Sequence, residues 1–179
     1  MVVKKLIVYF HGYGSSANTS KLQKLEAVEN SRVFAWDIDI DPSVSIPELL
    51  KNIDDTVMLE RLHEPCQVVF VGTSLGGWYA STVADIYGVD AVLINPSWHP
   101  AKGLSQKYGV DEKIAEKYTE ISWNKKYKYF IAKNDEVIDF SPVHDKLIEV
   151  NAEFVDNASH RFSGVEFQRV VDHINNLPS

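Results

Sequence analysis

Short apolar runs alternate with stretches of helical periodicity along this chain of 179 residues. The early runs are continuously apolar, which is typical of strands buried on both faces. Such strands form a mostly parallel sheet with helices on both sides, so the pattern predicts an α/β fold of about six strands. The predicted strands are Val2–Phe10, Val33–Trp36, Gln67–Val71, Ala91–Ile94, Tyr127–Ala132 and Ala152–Val155.

Three segments carry signals for the start of a helix. Ser45-Ile46-Pro47-Glu48 and Ser163-Gly164-Val165-Glu166 have the S-x-x-E spacing of a capping box. Ser141-Pro142 places a proline where a first helical turn accepts one. After the second box, apolar residues recur at helical spacing and predict a closing helix on the sheet: Phe167, Val170, Val171, Ile174 and Leu177.

One long connection, Asn95 to Asn124, is predicted to be irregular, with a short helix around Asp111 to Tyr118. Long connections of this kind are often functional. It is the one place with room for a lid, and it is short, so we expect a minimal lid or none.

Composition narrows the class of protein. The length and the 45% hydrophobic content fit a single domain over residues 1–179. A net charge of −7 without a basic cluster argues against a nucleic-acid partner. No apolar run is long enough for a membrane helix or a secretory signal, and Cys66 is the single cysteine. We therefore expect a cytoplasmic protein without a membrane partner, disulfide or cysteine zinc cluster; the oligomeric state stays open.

The strongest functional signal is Gly72-Thr73-Ser74-Leu75-Gly76, which follows an apolar run and opens an amphipathic stretch. This is the strand-turn-helix setting of a nucleophile elbow, in which a serine stands exposed at the tip of a strand. The turn is tight, so small residues are needed two positions before and two after the serine, and Gly72 and Gly76 provide them. The pattern predicts that Ser74 is a catalytic nucleophile.

A serine nucleophile needs a base, and the base needs an acid that orients it. His160 is the one histidine in the loop directly after the last predicted strand, since His173 lies within the predicted closing helix, so His160 is the predicted base. Asp135 lies three residues past the preceding strand and is the favoured acid. Asp139 is the alternative, although it is expected to serve the backbone of the helix start at Ser141-Pro142. Glu136 is expected to be a solvated surface charge, because adjacent side chains diverge.

An oxyanion hole would need two backbone N–H groups, one after the nucleophile and one after the first strand. These are predicted to be Leu75 and Tyr13. Gly12 allows the chain to turn there, and His11 is expected to hold the loop through hydrogen bonds. No second histidine or cysteine is spaced with His11 as a metal ligand, so no metal or other cofactor is predicted.

Taken together, these motifs resemble the α/β-hydrolase superfamily and, more narrowly, its small bacterial YqiA-type esterase branch. The resemblance runs nearly from end to end. It implies a compact α/β-hydrolase fold, a triad of Ser74, Asp135 and His160, and activity on short acyl esters. The segments that carry it are Tyr9–Tyr13 with Ser15-Ser16, Gly72–Ala80, Asn95-Pro96, Asn134–Val137 and Ser159–Phe162.

The leading hypothesis is thus a serine hydrolase, either a carboxylesterase or a thioesterase, whose partner is a small acyl ester or thioester. Two alternatives stay open: an acyltransferase on the same fold, and a catalytically silent binding domain that uses the same cleft. Trp98 is the leading candidate for the substrate pocket, ahead of Trp78, Tyr79, Tyr108 and Trp123, although aromatic residues in so apolar a chain more often lie in the core. The physiological substrate and the pathway do not follow from the sequence.

Overall fold

A parallel six-stranded sheet forms the centre of the part of the chain described by the computed structural model, residues 4–178. The strands lie in the order β2-β1-β3-β4-β5-β6, and every neighbouring pair is parallel. Val2 and Val3, the first residues of the first predicted strand, lie outside the described residues. The strands are β1 (Lys4–Phe10), β2 (Ser31–Ala35), β3 (Cys66–Thr73), β4 (Asp90–Ile94), β5 (Lys128–Ala132) and β6 (Glu153–Val155).

Helices connect the strands and cover both faces of the sheet. A π-helical segment, Asp54–Met58, joins the second helix to the third, and single 3-10 turns at Ser141–Val143 and Val165–Phe167 precede the last two. The helices are α1 (Ser20–Leu25), α2 (Pro42–Ile53), α3 (Leu59–His63), α4 (Leu75–Tyr87), α5 (Pro100–Tyr108), α6 (Glu112–Ala115), α7 (His144–Glu149) and α8 (Gln168–Asn175). Within residues 4–178, none of them is both long and apolar enough to cross a membrane.

The sheet separates two apolar cores. Alternate residues of β1 point to opposite faces, so Ile7 and Tyr9 join α1 and α8 while Val8 and Phe10 join α2 and α4. The predicted closing helix is present: Phe167, Val170, Val171 and Ile174 are buried against the first of these faces. Burial on both faces explains why the strands are continuously apolar, and the predicted parallel α/β fold is confirmed.

Both capping boxes are wrong in detail. The helix assigned to Ser45 begins earlier, at Pro42, because Asp41 caps it by accepting the N–H of Ser43. Ser45 is buried inside α2, where its hydroxyl lies within hydrogen-bonding distance of Tyr79 Oη, at 2.8 Å, and of the Asp41 carbonyl, at 3.1 Å. A side chain that can cap also bonds a tertiary partner, and the spacing does not distinguish the two roles.

At the second box, the helical segment begins one residue later than predicted, and Ser163 does not cap it. Gly164 occupies the N-terminal position of the 3-10 turn, and Glu166 reaches back to accept the Gly164 N–H at 2.9 Å. The third signal is correct, since a 3-10 turn begins at Ser141 and leads into α7.

The long connection is more regular than predicted. The expected short helix is present as α6, but α5, which runs from Pro100 to Tyr108, was missed. Only Pro100 and Leu104 of α5 are buried, so its apolar periodicity is weak.

Candidate active site

Four polar segments meet where parallel strands end at one edge of the sheet. Ser74 follows β3, Asn95 follows β4, the segment with Asp135 follows β5, and the loop with His160 follows β6. Carboxyl ends of parallel strands are where α/β folds place their sites, because the connecting loops converge there.

Ser74 lies on a strained turn between β3 and α4. Its backbone has φ 55° and ψ −122°, a region that costs a residue with a side chain about 1–3 kcal/mol. Hydrogen bonds hold it there: its N–H donates to the Ile94 carbonyl, and its own carbonyl accepts from Gly77 and Ser97. The turn therefore presents the hydroxyl at the strand tip rather than in the helix.

The two glycines of this turn are required by close backbone approach. A Cβ on Gly72 would lie 2.7 Å from Ala80 Cβ and collide with the Gly76 carbonyl. A Cβ on Gly76 would lie 2.6 Å from the His11 carbonyl oxygen and collide with that of Phe10. The tight packing of β3, α4 and the end of β1 excludes any larger residue at either position.

The three predicted side chains form one hydrogen-bonded chain. His160 Nδ1 lies 2.7 Å from Asp135 Oδ2, and His160 Nε2 lies 3.0 Å from Ser74 Oγ. A carboxylate only accepts hydrogen bonds, so Nδ1 carries the proton and Nε2 is free to accept the Ser74 hydroxyl. The arrangement can move a proton from the serine to the imidazole.

Asp135 is almost fully enclosed, with its side chain 2% exposed. Its second carboxylate oxygen accepts the N–H groups of Val137 and Ile138 at 2.7 and 2.8 Å. Both oxygens are therefore satisfied, which holds the carboxylate in one orientation toward His160.

The alternative acid is bonded elsewhere. Asp139 Oδ1 accepts both the N–H and the hydroxyl of Ser141, at 2.9 and 2.6 Å. These bonds lower the pKa of the Asp139 carboxyl. Asp139 thus serves the 3-10 turn at Ser141, as its position before that turn predicts.

Glu136 is exposed, as the sequence-based expectation of a solvated charge has it, but it also makes a bond that was not expected. Its carboxylate accepts the backbone N–H of His160 at 2.9 Å, and this bond lowers the pKa of Glu136. The side chain of Glu136 diverges from that of Asp135, but it turns to the backbone of the same histidine. Asp135 therefore binds the side chain of His160, and Glu136 binds its backbone.

Asn95 is a further member of the site that the motif search treated only as part of a dipeptide. It is fully buried, with φ 43°. Its side-chain oxygen accepts the N–H of Ala132 at 2.7 Å, and its NH₂ group donates to the carbonyls of Ser159 and His160. It joins the strand that leads to Asp135 to the loop that carries His160. The available signal was its position, directly after a buried strand at the carboxyl edge.

The loop after β1 lies against the serine. A Cβ on Gly12 would lie 3.3 Å from Ser74 Cβ. His11 is buried and fixes this loop, with Nδ1 2.9 Å from the Gly12 carbonyl and Nε2 accepting the Ile38 N–H at 3.1 Å. Within residues 4–178, the N–H groups of Tyr13 and Leu75 have no acceptor. Two backbone donors are thus available near Ser74.

Trp98 connects the segment around Asp139 with the segment around Ile121. Its indole N–H donates to the Asp139 carbonyl at 3.1 Å, and its own carbonyl accepts the Ile121 N–H. A substrate contact for Trp98 stays a prediction. The loop that carries Asp135 also lines a groove of about 800 Å³, which neither Ser74 nor His160 reaches; its apolar walls include Ile138, Phe140 and Phe154.

The sheet order and the arrangement at its carboxyl edge define a protein of the α/β-hydrolase fold. A family model described as an uncharacterised protein family, UPF0227, matches residues 6–177. The chain belongs to this family. A UPF0227 protein from Shewanella woodyi is 26% identical over 156 residues, which cover 79% of this chain and 82% of that protein.

Solved structures share the fold at low sequence identity. Est1E from Butyrivibrio proteoclasticus, solved with ferulic acid bound, has a TM-score of 0.74 at 12% identity, covering 97% of this chain and 87% of that one. A lidless α/β serine hydrolase from Xanthomonas campestris has a TM-score of 0.68 at 16% identity, covering 96% and 81%. The fold predicted from the resemblance is confirmed.

Among residues 4–178, no group of three or more His, Cys, Asp or Glu side chains is arranged to hold a metal ion. The polar groups at the site are instead those of acid–base and nucleophilic chemistry.

Proposed function

We propose that this protein is a serine hydrolase that cleaves short acyl esters, either oxygen esters or thioesters, through an acyl-enzyme on Ser74. The observation that carries the proposal is the hydrogen-bonded chain from Asp135 through His160 to Ser74. The strained serine turn and the unused N–H groups of Tyr13 and Leu75 support it. The chain shares its fold with a serine hydrolase and with a protein solved with ferulic acid bound, which is consistent with the proposal.

In the first half of the reaction, His160 Nε2 takes the proton of Ser74 as the serine oxygen attacks the acyl carbon. The carbonyl π electrons move to oxygen, and the N–H groups of Tyr13 and Leu75 stabilise the resulting oxyanion. Asp135 keeps Nδ1 protonated and stabilises the imidazolium. The intermediate then collapses, and the leaving alkoxide or thiolate receives the proton from Nε2.

The second half repeats these steps with water. His160 removes a proton from the water as it attacks the acyl carbon bound to Ser74, and a second oxyanion forms at the same donors. Its collapse releases the carboxylic acid and returns the proton to Ser74. An acyltransferase would differ only in using another acceptor in place of water, so acceptor competition assays separate the two.

Covalent labelling tests the proposal directly. A fluorophosphonate probe should modify Ser74, detected by peptide mass spectrometry, because the activated oxygen attacks phosphorus as it would an acyl carbon. Ser74→Ala serves as the negative control. An unlabelled Ser74 in folded wild-type protein would favour the silent binding domain instead.

A further inference from the structure

The last turn of α5 lies between the two loops that flank Ser74. On one side, the ring of Tyr108 packs against that of Tyr13, with centroids 4.8 Å apart. On the other side, Lys107 Nζ donates to the carbonyl of Val137 at 3.0 Å. The end of α5 therefore contacts both the loop after β1 and the loop after β5.

Both contacts lead back to Ser74. Tyr13 directly follows Gly12, whose backbone packs against the serine. Val137 donates its N–H to Asp135, which holds the imidazole that reaches the serine. The contacts thus connect the end of α5, through both loops, to the segments that hold the reacting hydroxyl.

Tyr13 and Tyr108 are more exposed than the other tyrosines of the chain. Tyr13 and Tyr108 are 43% and 44% exposed. Large aromatic side chains usually bury their rings, and the core does not use these two. The other six tyrosines are buried or half-buried: Tyr9, Tyr79, Tyr87, Tyr118, Tyr127 and Tyr129.

We propose that Tyr13 and Tyr108 form an aromatic wall that selects substrates, and that the preferred substrates are esters carrying an aromatic ring. The two rings meet at an interplanar angle of 39°, and the exposed fractions of the two residues leave area for contact with a third ring. Aromatic rings attract one another in offset or edge-to-face contacts beyond the effect of burial alone. This inference rests on the serine esterase function proposed above.

Two matched esters test the wall. Methyl phenylacetate and methyl cyclohexylacetate have the same acyl length and carbon number, and they differ in the flatness and π electrons of the ring. Wild-type protein should prefer the phenyl ester by about threefold to tenfold in kcat/KM. The difference should lie mainly in KM, because the ring contact forms before the chemical step.

Tyr108→Leu and Tyr13→Leu keep an apolar side chain but remove the ring, so each should bring the preference below about twofold. Leu62→Ala, an exposed apolar residue on α3, is the matched control and should keep the wild-type preference. A wild-type protein that hydrolyses both esters equally, or a Tyr108→Leu variant that keeps the full preference, would overturn the aromatic wall while leaving the esterase function intact.

A binding measurement separates this proposal from the esterase function. Chemical shift perturbation in Ser74→Ala protein should show phenylacetate ion binding beside Tyr13 and Tyr108 more tightly than cyclohexylacetate ion. This readout needs no turnover. Equal binding of the two ions, or binding elsewhere, counts against the wall even if neither ester is hydrolysed.

Discussion

The two sides of the candidate site are built from different interactions. On the side of Asp135 and His160, directional hydrogen bonds satisfy the polar atoms, and Glu136 and Asn95 add bonds to the histidine backbone and its loop. On the side of Tyr13 and α5, a ring contact between Tyr13 and Tyr108 joins the segments. Directional bonds fix positions closely, whereas ring contacts tolerate small shifts.

This difference indicates that the hydrogen-bonded side serves the chemical step and the aromatic side serves substrate selection. Acid–base chemistry depends on geometry, since a displacement of about 1 Å can cost a hundredfold in rate. Substrate selection by an aromatic wall needs contact rather than a fixed distance. Substitutions on the hydrogen-bonded side should therefore lower kcat strongly, and those at the wall should shift KM and specificity by smaller factors.

The largest effect is expected at Ser74. Ser74→Ala removes the attacking oxygen, and comparable losses in serine hydrolases reach about 10⁶-fold in kcat. Gly72 and Gly76 shape the turn without the hydroxyl, so the fold should survive. Ester hydrolysis and thermal unfolding of the purified variant check both statements. More than a tenth of the wild-type activity, with contaminating esterase excluded, would contradict the role of Ser74.

The two aspartates offer the next test. Asp135→Asn should cost about 10³- to 10⁴-fold in kcat, because the amide no longer favours the productive tautomer of His160. Asp139→Asn should mainly weaken the 3-10 turn at Ser141, seen as a small decrease in Tm. The assay compares kcat and Tm for both variants. A large rate loss for Asp139→Asn with a nearly normal Asp135→Asn would reassign the acid.

An intermediate effect is expected at Asn95, which acts through the histidine loop rather than on a substrate. Asn95→Gly removes the side chain while allowing the positive φ of 43°, so it isolates the lost hydrogen bonds from backbone strain. Asn95→Asp keeps the shape but sets an acceptor against two carbonyl oxygens. Each should lower kcat about 10- to 100-fold with little change in KM.

The test of Asn95 requires a measurement that does not change when a variant merely loses stability. The far-downfield proton resonance of the His160–Asp135 hydrogen bond should weaken or shift in both variants, at a temperature where circular dichroism shows them folded. Asn151→Gly is the matched control, because Asn151 also has a positive φ, 57°, but lies between α7 and β6. A normal resonance and normal kcat in Asn95→Gly would rule out the positioning role.

What the sequence predicted also divides between the two sides. Ser74, Asp135 and His160 were identified because each follows a strand and is of a residue type that this chemistry requires. Glu136 and the hydrogen bonds of Asn95 were missed, because a side chain that turns to a backbone group in a distant segment leaves no periodic signal. Tyr108 was among the aromatic pocket candidates, but its contact with Tyr13 was missed together with α5, whose apolar pattern is weak because most of the helix faces solvent.

The smallest effect concerns the length of the acyl chain. The connection 95–124 forms only α5 and α6, which is too little for a multi-helix cap, so we expect a shallow cleft. Each buried methylene contributes about 0.8 kcal/mol, or about fourfold in kcat/KM, and the gain should stop after a few of them. p-Nitrophenyl acetate or butyrate should therefore be preferred to the dodecanoate, with no activation at a lipid–water interface. A panel of esters of increasing length, run on wild type and on Ser74→Ala for background, measures this. If the dodecanoate is best, the cleft is deep, and the groove lined by Phe140 and Phe154 becomes the place to introduce a blocking side chain.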